Sequence, residues 1–210
     1  MTIDFDRLCR AFEQQGAEFL DLVDATPDLA VPTPLTGWDC AVLVGHVSTA
    51  VEALWRWRGE PHDGTPELDR VGWWDITEPT DNDTFAQRYA SKRTHGELRG
   101  LIAAAIGQAA ELLREASPDW TLVPPGGTVW ARFDQALATR IFELTVHGLD
   151  LASATDSSAV PHPAALAICG EILDLRLGGV RPPDLEAELD WVRAATGRSA
   201  HADPRLPVVR

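Results

Sequence analysis

The stretch Arg140-Ile141-Phe142-Glu143-Leu144-Thr145-Val146-His147-Gly148-Leu149-Asp150 decides how this 210-residue chain is read. Glu143 and His147 stand at i and i+4, so on a helix they leave one face and can share a cation. Arg140 and Asp150 extend that polar stripe by a turn at either end. Beside it runs an apolar stripe of Phe133, Leu137, Ile141, Leu144 and Leu151. Apolar residues at that period predict a helix over about 129–154, with its charged stripe bordering the apolar face rather than opposing it.

The same spacing recurs upstream. Phe5, Leu8, Cys9, Phe12, Phe19, Leu20 and Val23 predict a first helix ending near Ala25–Pro27. A proline-spaced connector, Val31-Pro32-Thr33-Pro34, leads to Trp38-Asp39, where Asp39 is placed to cap a second helix. That helix carries Leu43, Val47, Ala50, Val51 and Leu54 and is expected to end near Trp57. Residues 58–82, rich in Gly, Pro and Asp and holding Trp73-Trp74, read as a loop long enough to serve as an active-site lid. A third helical segment is expected from 84 to 116, with Gly96 and Gly100 as its points of bending. After Pro124-Pro125-Gly126-Gly127 and the fourth helix, shorter helices are expected at 163–177 and 184–196. Nothing alternates at period two, so a large sheet is not expected. The expected fold is mainly all-α: a four-helix bundle over 1–155 and a short, mostly helical C-terminal extension over 156–210 packing on it.

Composition narrows the function. Apolar residues make up 45% and charged residues 24%, as in ordinary soluble proteins. A net charge of −14 with no offsetting basic cluster repels nucleic-acid phosphates and anionic lipids, so neither is an expected partner. Cys9, Cys40 and Cys169 are odd in number and lack CxxC spacing, against both a disulfide framework and a thiolate zinc knuckle. The first ten residues show no secretory pattern and no apolar run is long enough to span a bilayer. A cytoplasmic monomer or homodimer is the expectation.

His46 lies in apolar surroundings, Val42-Leu43-Val44-Gly45-His46-Val47, and is expected to point inward. Together with Glu143 and His147 it admits three readings: a metal site, a satisfied core histidine, or a surface salt bridge around Arg140 and Glu143. Two imidazoles and a carboxylate are a ligand set used by catalytic zinc, leaving one position open. The same set accepts iron, nickel or manganese. Asp150 is placed to accept a hydrogen bond behind the ligands, and Arg140 to neutralise Glu143 or hold a substrate carboxylate. Trp73 and Trp74 could line a pocket, and Arg88 could guide an anion; loop packing and plain surface charge explain them as well. Cys40, in the first turn of the second helix, is either a thiolate favoured by the helix N-terminus or a small packing residue.

These residues carry a resemblance. Trp38 with Gly45-His46-Val47, followed by Arg140-x2-Glu143-x3-His147-x2-Asp150, resembles the N-terminal metal-binding domain of the mycothiol-dependent maleylpyruvate isomerase family, within the DinB-like group of four-helix bundles. The likeness spans about residues 5–155, and Leu189-Asp190-Trp191 with Thr196-Gly197-Arg198 resembles the tails of its actinobacterial members. The resemblance implies that His46, Glu143 and His147 bind the metal and that the thiol mycothiol is a cosubstrate. It further implies an isomerase or S-transferase in which a metal-bound thiolate attacks a small electrophile. The chain departs from the isomerases after residue 155, where they carry a larger mixed domain, so the resemblance does not fix the electrophile. A non-catalytic metal- or ligand-binding bundle and a metal-assisted hydrolase are the alternatives.

Overall fold

A computed structural model describes residues 4–60, 64–75, 79–125 and 129–209, with the backbone alone for Trp74 and residues 79–82. Helix α1 (Phe5–Ala25) begins where the Asp4 side chain accepts from the Arg7 amide at 2.8 Å. It buries Leu8, Phe12, Phe19 and Val23 along one stripe. At its end the Val23 carbonyl accepts from the Thr26 amide, and the Arg99 guanidinium donates to the Val23 and Thr26 carbonyls. Helix α2 (Cys40–Arg56) is capped by Asp39, whose carboxylate accepts from the Val42 amide at 2.8 Å.

The expected third helix is two. Helix α3 (Pro79–Ala90) starts inside the stretch read as loop, and α4 (His95–Leu113) follows after a break at residues 91–94. The break is set by a capping box: Thr94 and Glu97 satisfy each other's backbone amides. Gly96 and Gly100 do not break α4, which is continuous through both; both are exposed, where a missing side chain leaves no void. A two-residue antiparallel ribbon, β1 (Thr121–Leu122) with β2 (Ala131–Arg132), delivers the chain to α5 (Phe133–Ala154). Helix α6 (Pro163–Leu177) is capped by the His162 side chain and ends at Gly178 in the left-handed region, φ 64°. Helix α7 (Glu188–Ala195) is shorter than the sequence suggests.

Helices α1, α5, α2 and α4 pack in a closed ring, with α3 against α2, α6 against α5 and α1, and α7 on α6. One continuous apolar core runs from Leu8 on α1 through Leu137 and Ile141 on α5 to Ile172 and Trp191 on the last two helices. The ring depends on close approaches. A Cβ at Gly45 would lie 3.2 Å from the Tyr89 ring and 3.6 Å from Leu98, so glycine lets α3 and α4 press against α2 beside His46. Helix α5 is the central element, buried on nearly every side. Its polar residues are therefore inside the protein.

Candidate metal centre

Helix α5 supplies Glu143 and His147 one turn apart, and α2 brings His46 across from them. The Nε2 atoms of both histidines lie 3.2 Å from the same oxygen, Glu143 Oε2. One ligand atom from each of the three lies within 4.8 Å of the others, so a small adjustment brings all three onto one ion. Their side chains are 11–12% exposed, too little to be a solvated face. The surface salt-bridge reading is thereby set aside. Trp38 walls the trio: its ring meets His46 edge-on at 5.1 Å and lies nearly parallel to His147 at 6.1 Å. Its indole nitrogen is tied to Asp83 Oδ1 at 3.2 Å.

The far nitrogen of His147 is also held. Nδ1 donates to Asp150 Oδ2 at 3.0 Å, leaving Nε2 to face the trio, as carboxylate–histidine–metal sites require. Asp150 in turn accepts from Arg198 at both oxygens, 3.0 and 2.7 Å. Asp150 is buried and would be costly without these partners. Burial works against charge on Glu143, yet hydrogen bonds from His147 and His46 hold its carboxyl well below the usual range. Burial likewise opposes charge on His147, but Asp150 and Glu143 outweigh it and push the imidazole up to about 9. For Asp150, burial is outweighed by His147 and Arg198, which keep it low. Without metal, His147 is an imidazolium between two carboxylates; a divalent ion bound there would take that proton's place.

This gives an expected pH dependence. His147 is raised from 6.5 to about 9 in the folded metal-free chain, so its contribution is complete below pH 6.5 and is lost as pH rises through about 9. Urea unfolding of metal-free protein should show stability falling across that window, by at most about 3 kcal/mol. With saturating metal the imidazole is already neutral in the folded state, and the alkaline fall should vanish.

Arg140 is buried, with its guanidinium 4.6 Å from the Trp73 ring and 5.6 Å from that of Trp57, which stack on each other at 6.0 Å. Burial lowers its pKa to about 10 against the pull of Glu143, so it keeps its charge at neutral pH. Trp73 is thus drawn to the site through Arg140. The Trp74 side chain lies outside the described residues. Arg88 is exposed on the last turn of α3. Cys40 is a packing residue: burial, then Asp39 and Asp28, raise its thiol pKa. Two further participants escaped the sequence reading. Trp57 carried no more signal than an apolar helix end, and Arg198 none beyond its place in the tail motif.

The sequence and the fold match known proteins. The sequence model of the mycothiol maleylpyruvate isomerase N-terminal domain matches residues 9–152. Two solved structures share the fold, each covering 82% of this chain and 72% of their own, with a TM-score of 0.59. They are the mycothiol-dependent maleylpyruvate isomerase, 16% identical, and a histidine-to-alanine mutant of the mycothiol-dependent maleylpyruvate isomerase, 14% identical. No curated protein sequence matches the chain. With more than half its length matched and the bundle common to both structures, the chain belongs to the mycothiol maleylpyruvate isomerase N-terminal domain family.

Proposed function

We propose that His46, Glu143 and His147 hold a divalent metal, zinc by the chemistry of the set, and that the protein is a mycothiol-dependent isomerase or S-transferase acting on a small electrophile. The observation that carries this is the convergence of both Nε2 atoms on Glu143 Oε2 while Asp150 holds the other nitrogen of His147. A metal bound there lowers the pKa of a coordinated thiol and so supplies a thiolate nucleophile at neutral pH. The chain's own residues do the rest. His46, Glu143 and His147 form the only group of metal-ligating side chains among the described residues, and three protein ligands leave a coordination position for the thiol. Trp38 keeps water from one side, and Arg140 balances the charge of Glu143. Asp150 is committed to His147 and Arg198, which argues against its serving as the general base a hydrolase would need.

In this reading residues 1–155 carry the ligands and residues 156–210 brace them. No helix among the described residues is long and apolar enough to cross a membrane. Action in the cytoplasm, where small thiols stay reduced, suits a thiol-dependent enzyme. The test is turnover: zinc-loaded protein with mycothiol should isomerise or S-conjugate at least one of a panel of activated alkenes that includes maleylpyruvate. Omitting either the metal or the thiol should abolish it. Equal turnover without the thiol would favour metal-assisted hydrolysis instead, and metal binding with no turnover at all would favour a non-catalytic sensor.

A further inference from the structure

The C-terminal segment enters the metal centre through one side chain. Beyond α7 the chain reverses at Gly197, whose φ of 73° is open mainly to glycine, and the Arg198 and Ser199 amides close on the Arg193 carbonyl at 2.7 and 3.1 Å. The reversal aims Arg198 back at α5. Its Nε and one terminal nitrogen grip the two oxygens of Asp150, while the other terminal nitrogen donates to the Thr196 carbonyl at 2.7 Å. All the guanidinium nitrogens are therefore engaged. A carboxylate held by one contact can rotate about its last bond; a planar fork fixes both oxygens. Asp150 Oδ2, the atom that orients His147, is one of the two.

We propose that Arg198 is a positioning residue of the metal centre: through Asp150 it fixes the ring of His147 so that Nε2 faces His46 and Glu143. The C-terminal segment, outside the matched residues 9–152, then belongs to the metal-binding unit. Neutralised by Arg198, Asp150 orients the imidazole and does not compete for the ion. This rests on the metal reading above.

The test compares Zn²⁺ affinity, by chelator competition, in wild type, Arg198→Met, Arg198→Lys and Arg181→Met, with the visible spectrum of the Co²⁺ forms and the melting of the metal-free forms. Arg181 grips Asp174 and Glu188 in the same C-terminal region, so its loss reports loosening of the segment alone. Arg198→Met should weaken metal binding roughly 10- to 100-fold and alter the cobalt spectrum. Arg198→Lys, which keeps the charge without the fork and guards against a methionine variant that fails to fold, should fall between. Arg181→Met should lower the melting temperature and leave metal affinity unchanged. Wild-type affinity in both Arg198 variants, or an equal loss in Arg181→Met, overturns the proposal while the metal reading stands. A wild-type protein that binds no metal overturns both.

Discussion

Glu143→Gln is expected to leave the protein folded and strip it of tightly bound metal. Glutamine keeps the size of the side chain and an oxygen that the histidines can meet, so packing within α5 changes little. What disappears is the charge. Glu143 Oε2 is the atom on which both histidine Nε2 atoms converge at 3.2 Å, and the only anionic member of the ligand trio. Affinity should fall by more than the roughly 100-fold that marks loss of an outer contact, and thiol-dependent turnover should fall with it. Glu143 also helps to raise His147, so the alkaline fall in metal-free stability should begin at lower pH in this variant. His147→Ala should lose metal as completely but is the harsher change, because it leaves buried Asp150 and Glu143 each short of a partner. Metal analysis after dialysis against a weak chelator, beside urea unfolding, separates the two variants.

Trp191→Ala should produce the largest loss of stability. Trp191 is 0% exposed, among the largest side chains in the core, and sits with α6, α5 and α1 in one apolar cluster. Removing a fully buried aromatic costs about 3–5 kcal/mol, a large share of the 5–15 kcal/mol typical of a domain. Its indole nitrogen has no hydrogen-bond partner among the described residues, so Trp191→Phe forfeits only volume and the contact with Arg181, 5.2 Å from the ring, and should cost less than half as much. Urea midpoints at unchanged slope measure both. A change below about 1 kcal/mol for the alanine variant would mean that α6 and α7 are not part of the common core.

The legible part of the molecule was whatever one helix carries by itself. The Arg140–Asp150 stripe could be read because helical periodicity puts its members on one face, and His46 because a histidine among valines and leucines points inward. The Thr94 and Glu97 pair was equally present in the sequence; the glycines at 96 and 100 drew the break away from it, although an exposed glycine costs a helix only about 1 kcal/mol. What periodicity does not contain is which segment returns to which. Arg198 lies 48 residues from Asp150 and meets it only because Gly197 reverses the chain. Trp57 and Trp73 join around Arg140 from separate segments, and neither neighbourhood hints at a buried guanidinium. His162, between two prolines, is likewise part-buried and caps α6.

Titrating cobalt-loaded protein with mycothiol tests the central claim most directly. The expected result is one Co²⁺ per chain and a new sulfur-to-cobalt charge-transfer absorption that saturates at one thiol per metal and is absent in Glu143→Gln. A native chain that takes up no stoichiometric cobalt, or a cobalt spectrum that mycothiol leaves unchanged, would contradict it.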